Sequence, residues 1–384
     1  MSLFRVSSVA EWNALVVTAG VTPFVSGDVI RLTSDITFSS NPSVMPVGPA
    51  LLNGNAKTIT MNYNGGTLSG LCSLAGGTIR NIKFNLAVTW TRNTLLLQSN
   101  SYGTVSYISI IGSANGSLCG LIINSLNVTT DKTLNIDRVA VSITNGFQTC
   151  LVFTHLSGVL NITLCSFVSE SPVAVTAISS ILHNNATTNT LSPLTISKCT
   201  SYFSNNAFSY NGYAIFQVGN SATPSAVNIS EVWHYCANAS INSSCCLIGL
   251  LFCNNNITVS DCISFSNGPF ARLRVSTGTP SFIRCVHLLQ AGGTGFTFFA
   301  KHTSGAAGSA SLTNCYGSVG EATTTSAGGG LDPTVTGDAL GEYATLTLSS
   351  SLDATIWSNY NGVNQIPRVA SLTDTAEFTG FADT

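Results

Sequence analysis

A four-residue template recurs along this chain about every 29 residues, and it restricts the possible folds more than any other feature. The template is a branched or aromatic apolar residue, two usually polar residues, and then Cys or another apolar residue. We number the last position column 0 and count backwards from it. Column −3 contains Ile79, Val105, Ile136, Ile162, Ile196, Ile229, Val259, Phe282 and Leu312. Column 0 contains Ile82, Ile108, Val139, Cys165, Cys199, Val232, Cys262, Cys285 and Cys315.

The spacing and composition of the repeats predict a β-solenoid. Successive column 0 residues are 23 to 34 residues apart, and a period in this range is typical of stacked repeats. The repeats are rich in Val, Ile, Thr and aromatic residues, with Gly and Asn between short runs, which favours strands over helices. About 29 residues are enough for three short strands and their turns, and each turn should rise by about 4.8 Å. We therefore predict an all-β, parallel β-helix of about nine coils.

The parity of the template predicts a bend inside each coil. Columns −3 and 0 are an odd number of residues apart, so a straight strand would point them to opposite faces. Because both columns are apolar, both should face the core, and the backbone should bend at column −1. This column is mostly polar, as expected at an outward corner, and contains Asn81, Tyr107, Arg138, Leu164, Lys198, Glu231, Asp261, Arg284 and Asn314.

The cysteines of column 0 are predicted to fill the core. Cys is small, apolar and often buried, so stacked coils would form an internal ladder from Cys165, Cys199, Cys262, Cys285 and Cys315. Disulfides between adjacent coils, such as Cys165 with Cys199, are an alternative. A metal site is a further alternative, but the chain has no C-x-x-C, and the cluster Cys245, Cys246 and Cys253 has no His at ligand spacing. No cofactor is predicted.

The low charge of the chain excludes several classes of partner. Only 8% of residues are charged, against about 25% in an average soluble protein, and the net charge is −2. No basic stripe is available for a phosphate backbone, which argues against nucleic-acid binding. No apolar run approaches the ~18 residues of a membrane span. The N-terminus has Glu11 within its apolar part and does not resemble a signal peptide, so we expect cytoplasmic synthesis or a trimmed signal.

The two ends of the chain are predicted to cap the solenoid. We divide the chain into an N-terminal cap at 1–48, a parallel β-helix at 49–327 and a C-terminal cap or docking tail at 328–384. Ser8 followed by Glu11 forms a capping-box sequence that predicts an N-terminal capping helix over 7–20, ended by Gly20. Its apolar face would contain Val9, Trp12, Leu15 and Val16.

Several segments resemble the GLUG-motif β-helix proteins. These are GDVIRLTSDITF (27–38), ALLNGNAKTITMNYNGGTLSGLCSLAGGTIRNIKF (50–84), SLTNCYGSVG (311–320) and ATIWSNYNGVNQIPRV (354–369). The resemblance implies a right-handed parallel β-helix of the kind found in surface adhesins and related extracellular or viral proteins. The chain departs from that group in lacking a signal peptide, a cell-wall sorting tail and a full G-L-U-G in its middle coils.

Two carboxylates are weak candidates for catalysis. Glu231 and Asp261 both fall in column −1 on successive coils, about 5 Å apart at the backbone, which is compatible with the acid pair of a retaining glycosidase. Lys198 and Arg284 occupy the same column on either side, so a ladder of alternating surface charges is the simpler interpretation. T-x-T pairs, which would suggest ice binding, occur at 58–60 and 345–347 but not at the repeat period.

We therefore expect a non-enzymatic structural or attachment protein. It would be an oligomeric β-helical building block of a virion surface, fibre or extracellular layer, located at a virion or extracellular surface. Its partners would be further copies of itself or other structural proteins. A secreted glycan-binding adhesin is one alternative and a polysaccharide lyase or glycosidase is another. The aromatic residues expected to be exposed for glycan or partner contact are Trp90, Tyr202, Tyr210, Tyr213 and Trp233.

Overall fold

The structure is a computed structural model whose described residues form one helix and thirty strands. It describes residues 1–63, 70–114, 119–144, 149–170, 177–184, 193–203, 211–218, 226–236, 246–252, 256–266, 268–274, 278–288, 297–301, 308–317, 322–325, 334–342, 357–358 and 368–369. The helix is α1, Val9–Val21. The strands are β1 Leu3–Val6, β2 Val29–Leu32, β3 Ile36–Phe38, β4 Met45–Gly48, β5 Leu51–Met61, β6 Cys72–Trp90, β7 Tyr102–Ala114, β8 Cys119–Asn127, β9 Thr133–Thr144, β10 Thr149–Ser157, β11 Val159–Thr163, β12 Ser166–Glu170, β13 Ala177–Leu182, β14 Leu194–Phe203, β15 Asn211–Val218, β16 Val227–Cys236, β17 Cys246–Phe252, β18 Ile257–Ser260, β19 Ile263–Phe265, β20 Ala271–Arg274, β21 Ser281–Ile283, β22 Val286–Leu288, β23 Thr297–Lys301, β24 Ser309–Thr313, β25 Tyr316–Gly317, β26 Ala322–Thr325, β27 Thr334–Gly337, β28 Gly341–Glu342, β29 Trp357–Ser358 and β30 Arg368–Val369.

The strands stack in parallel along three sides of a solenoid, which confirms the predicted fold class. On the first side the order is β1-β2-β5-β6-β7-β9-β11-β14-β16-β18-β21-β24-β27. The second side runs β3-β5-β6-β7-β9-β12-β14-β16-β19-β22-β25-β28. The third side contains β8-β10-β13-β15-β17-β20-β23-β26. About nine turns repeat the full pattern, and shorter turns extend the stack at both ends.

A left-handed residue joins the first and second sides in each of the nine aligned turns. The φ angles of all nine column −1 residues lie between 50° and 58°. Columns −3 and 0 stack in register, as in Ile79 against Val105 and Ile82 against Ile108, and both are buried. The predicted bend at column −1 is therefore confirmed. A single residue in this region of φ interrupts the alternation of the strand and bends it, which lets two columns of odd separation face the same core.

Helix α1 covers the first turn of the solenoid. Ser8 is its N-cap and accepts a hydrogen bond from the Glu11 amide at 3.2 Å, while the Glu11 carboxylate accepts one from the Ser7 amide at 2.6 Å. The Trp12 ring is fully buried against Phe38, with ring centroids 5.7 Å apart. The predicted apolar face is correct, and Ala19 adds to it. The helix ends at Val21, with Thr22 as its C-cap, and not at Gly20.

The parallel strand ladder continues into both of the segments that were predicted as caps. Strand β1 lies before the helix and pairs with β2, so the parallel ladder begins at Leu3. At the other end, β27 and β28 continue the ladder through Glu342. Strands β29 and β30 pair antiparallel. The domain boundaries at 48 and 327 stay predictions.

Candidate functional site

The two candidate catalytic carboxylates lie at the bends of adjacent turns. Glu231 and Asp261 have φ angles of 54° and 55°, and the strands around them pair in register. Both oxygens of Asp261 accept hydrogen bonds from Arg284 on the next turn, at 2.6 and 2.7 Å. This pairing raises the pKa of the Arg284 guanidinium above its ordinary value. A carboxylate held at both oxygens is poorly placed to act as a nucleophile or general acid.

Neighbouring bend residues contact one another along the outer corner. Besides the pair of Asp261 with Arg284, the guanidinium of Arg138 lies over the ring of Tyr107 on the preceding turn, 5.1 Å from its centroid. Arg138 also pairs with Asp137. These contacts match the charge-ladder interpretation of column −1. Such exposed pairs each contribute only about 0.2–1 kcal/mol to folding.

Most of the aromatic residues proposed for glycan contact are buried. The exposed fraction is 0% for Trp90, 3% for Tyr213 and 4% for Trp233, so the expectation that they are exposed is wrong. Trp90 packs into the apolar interior, where burying a large ring is favourable, and the Tyr213 ring lies 5.3 Å from the ring of Phe216. Tyr210 lies outside the described residues. Tyr202 is half-buried and stacks on Tyr235, with ring centroids 4.9 Å apart.

The stacked rings form a short outward-facing column on the second side. Tyr235 stacks in turn on Phe265, 5.2 Å away and nearly parallel, so three successive turns present one continuous aromatic strip. All three rings are half-buried. We call Tyr202, Tyr235 and Phe265 the aromatic strip. Because the ring faces contact each other, only their edges and the Tyr hydroxyls remain for a ligand.

The column 0 cysteines are buried, as predicted, and their thiols bond to the backbone. All ten cysteines in the described part of the chain are buried. The Cys199 Sγ donates to the carbonyl of Ser197 at 3.2 Å and to that of Ile162 on the preceding turn at 3.7 Å. The same two acceptors, two residues back and at column −3 of the preceding turn, recur at Cys165, Cys262, Cys285 and Cys315.

The thiol bonds explain why Cys suits this column. The bend at column −1 interrupts the regular ladder, and a weak S–H donor at column 0 reaches carbonyls beside the interruption. Val and Ile fill the same space at other turns but bring no donor. Burial raises the pKa of the Cys165 and Cys285 thiols well above the ordinary value. Deep, protonated thiols are poor nucleophiles and metal ligands.

The solenoid interior also contains a polar column that the sequence reasoning did not connect. Successive turns place Ser201, His234, Ser264 and His287 at column +2, all fully buried. The Ser180 hydroxyl donates to Ser201 Oγ at 2.7 Å, and Ser201 Oγ lies 3.1 Å from Nδ1 of His234. Extending the template two positions beyond column 0 would have shown this alternation of Ser and His.

The serine–histidine column is closed off inside the solenoid. Burial is the main cause that lowers the pKa of His234 to about 3, and the neighbouring His287 adds to it. His234 therefore stays neutral at ordinary pH and can accept the Ser201 hydroxyl hydrogen. A Ser–His contact would suggest a nucleophile and its base. Here both groups are fully buried, so no substrate can reach them.

The largest regular surface is an uncharged polar row on the first side. Column −4 points outward and contains Thr, Asn or Ser on ten successive turns, namely Thr78, Thr104, Asn135, Asn161, Thr195, Asn228, Thr258, Ser281, Ser311 and Thr336. Column −2 runs parallel to it and contains Arg80, Ser106, Asp137, Thr163, Ser197, Ser230, Ser260, Ile283 and Thr313. We call these two columns together the polar face.

Side chains within the polar face bond to one another between turns. The Asn161 amide donates to the Asn135 side chain at 2.9 Å, and the Thr163 hydroxyl donates to Asp137 at 3.0 Å. Adjacent turns are about 4.8 Å apart, so the face is a regular grid of hydroxyl and amide groups. This grid does not appear as repeated T-x-T pairs in the sequence, because Asn and Ser replace Thr at many turns.

Comparison with known proteins gives no match to a family model, to a curated protein or to a solved structure. The resemblance to GLUG-motif proteins therefore stays a prediction. In the described part of the chain, no three His, Cys, Asp or Glu residues come together as a group that could hold a metal ion. Within the same residues, no helix has the length and apolarity needed to cross a bilayer.

Proposed function

We propose that this protein is a non-enzymatic structural or attachment protein, a β-helical building block of a virion surface, fibre or extracellular layer. The polar face is the observation that carries the proposal. From Ser197 to Ser260 its two columns contain no charged residue, so two rods can approach side by side without repulsion between their faces. Hydroxyl and amide groups both donate and accept, so repeated hydrogen bonds can form between copies at a fixed spacing.

The low charge of the whole chain supports the same function. With a net charge of −2, there is little long-range repulsion between copies to oppose association. The engagement of Asp261 by Arg284 argues against the alternative of a glycosidase built on Glu231 and Asp261. Replacing both with Gln and Asn should leave any polysaccharide-degrading activity of a preparation unchanged.

The test of lateral assembly is sedimentation of the purified protein over a range of concentrations. We expect the native chain to self-associate. The double variant Thr195→Lys/Asn228→Lys should have a dissociation constant at least about tenfold higher, because it places two positive charges on the polar face. The matched control is Ile111→Lys/Ser142→Lys, which adds the same charge to exposed positions of the second side. A native chain that stays monomeric, or a face variant that assembles normally, would overturn the proposal.

The aromatic strip favours a second candidate function, a glycan-binding adhesin. Tyr202, Tyr235 and Phe265 present ring edges and two hydroxyls on one line, which can contact a sugar chain. A glycan array probed with the native chain and with Tyr202→Ala/Tyr235→Ala tests it. Binding that the variant loses would support the adhesin. Mass spectrometry of the protein isolated from its source tests whether it is secreted, because N-glycans or disulfides would indicate secretion.

A further inference from the structure

One arginine near the N-terminal end of the solenoid is buried and has no anionic partner among the residues that the structure describes. Arg92 lies in the turn after β6, between Thr91 and Asn93, which are both exposed. Its own exposed fraction is 6%, so its side chain turns back into the molecule. Long cationic side chains usually keep their charged end in water. The inward position of Arg92 therefore needs a specific cause.

Two aromatic rings flank the guanidinium. Its central carbon lies 5.1 Å from the ring centroid of Tyr63 and 5.6 Å from that of Trp90. Cation–π contacts of this kind satisfy the charge partly and fix the position of the guanidinium. They do not satisfy its N–H groups, which lie in the plane of the group and need acceptors at its edge.

None of the three guanidinium nitrogens has an acceptor in the described ranges of the chain. Nε, Nη1 and Nη2 of Arg92 are buried and make no hydrogen bond to the described part of the chain. Burial lowers the pKa of Arg92 because the charged form is desolvated there. An arginine nevertheless stays protonated in proteins, so the charge remains and favours an anion at this position.

The surrounding sequence contains no acidic residue that could supply that anion. No Asp or Glu occurs between Asp35 and Asp131, whereas this stretch contains four cations, Lys57, Arg80, Lys83 and Arg92. The two flanking carboxylates are occupied. Asp35 accepts from the Thr58 amide at 2.7 Å, and Asp131 pairs with Lys132 at 3.2 Å. The local charge of the first turns is therefore positive although the whole chain is negative.

We propose that Arg92, held between Tyr63 and Trp90, is a binding site for one oxyanion group of a ligand. The group is a carboxylate, or a sulfate or phosphate, because these match the fork of N–H donors on a guanidinium. Such groups occur on acidic sugars, on sulfated or phosphorylated polymers and on acidic protein tails. The site does not depend on the function proposed above.

The test is thermal unfolding of the whole chain in sodium acetate, sulfate or phosphate, each compared with sodium chloride at matched ionic strength. We expect at least one oxyanion to raise the Tm by about 2 °C or more over chloride. A gain with acetate alone would indicate a carboxylate ligand. Sulfate and phosphate also stabilise proteins by exclusion from their surface, so a gain with these ions supports the site only where Arg92→Met loses it. No gain with any of the three would overturn the proposal without need of a variant.

A variant then assigns the gain to this arginine and separates it from general salt effects. Arg92→Met keeps a long side chain between the rings but removes the N–H donors, and should abolish the gain. The matched control is Arg284→Met, which removes an exposed arginine from the opposite half of the solenoid and should keep it. A gain that persists in Arg92→Met would place the anion elsewhere. If Arg92→Met does not fold, Arg92→Lys is used, and we expect a reduced gain.

Discussion

The bend residues show how stacking determines the backbone conformation of individual residues. Leu164, Lys198 and Glu231 adopt the left-handed conformation as fully as Asn81 does, with φ angles of 54°, 55°, 54° and 58°. This conformation costs about 1–2 kcal/mol for an ordinary L-residue, while Asn tolerates it better. The bend is therefore imposed by the ladders on both sides of it, and the individual residue accepts the strain.

A glycine at a bend should stabilise the protein. Leu164→Gly removes the steric cost of the left-handed conformation, partly offset by the greater freedom of Gly in the unfolded chain, so we expect a gain of about 0.5–1 kcal/mol. Thr163→Gly, one residue earlier in β11, is the control and should destabilise by a similar amount. Urea unfolding measures both. A loss of stability in Leu164→Gly would mean that its side chain contributes more than its backbone costs.

The buried histidines should make the protein sensitive to acid. The pKa of His183 is lowered to about 4 by burial, between the rings of Phe153 and Phe216. From the unfolded value of about 6.5 down to about 4, the unfolded chain binds a proton that the folded chain does not. As the pH is lowered through this range, the free energy of unfolding should therefore fall by about 1.4 kcal/mol per pH unit because of this residue.

Replacing this histidine isolates its share of the acid sensitivity. His183→Phe continues the ring stack without a titrating group, so its unfolding free energy should fall less steeply across that pH range. Phe216→Leu disturbs the same stack but keeps the histidine, and should retain the slope of the native chain. Urea unfolding at several pH values gives the slopes. Equal slopes in the native chain and His183→Phe would show that His183 is not buried in its neutral form.

Features that repeat at every turn of the solenoid could be predicted from the sequence. Features of single residues outside the repeated columns could not. Columns −3, −1 and 0 repeat at every turn, so parity alone gave their directions. Trp90 and Trp233 each occur once at their positions, and a single aromatic residue does not indicate which face it occupies. Arg92 could not be predicted as a site because its burial depends on a ring, Tyr63, from the preceding turn.

At the scale of elements, the N-terminal helix replaces missing strands. The chain enters through β1 and then forms α1 in place of the second and third sides of that turn, so the helix covers the apolar end of the next turn. Capping signals and a 3.6-residue period predicted α1 well. Strand β1 was missed because four residues, LFRV, carry too little pattern to distinguish a strand from a loop.

The helix should be essential to the solubility of the N-terminal end. Trp12→Ala removes a fully buried ring that packs on Phe38 and donates from Nε1 to the Ser43 carbonyl at 2.9 Å. We expect a loss of about 3–5 kcal/mol in unfolding free energy and new end-to-end aggregation, since an uncapped solenoid exposes strand edges. Asn13→Ala, on the exposed side of the helix, should change neither. Light scattering and urea unfolding measure the two effects.

At the scale of the whole molecule, the buried thiols should report on the integrity of the rod. We expect none of the ten described cysteines to react with a maleimide near neutral pH until the chain unfolds, because all ten are buried. Burial also raises the pKa of the Cys119 thiol to about 12. Ser142→Cys provides an exposed thiol that should react at once. Alkylation followed by mass spectrometry counts the modified residues. A bridge between Cys165 and Cys199 in the native protein would contradict this expectation.

The bend in each turn also has an evolutionary consequence. Bends are 23 to 34 residues apart along the chain, yet the strands on either side of them stay in register. Differences in repeat length are thus absorbed between bends and do not accumulate from turn to turn. Duplication or deletion of one whole repeat would change the reach of the rod by about 4.8 Å and leave every other turn in phase. The length of the gene therefore sets the length of the rod in unit steps.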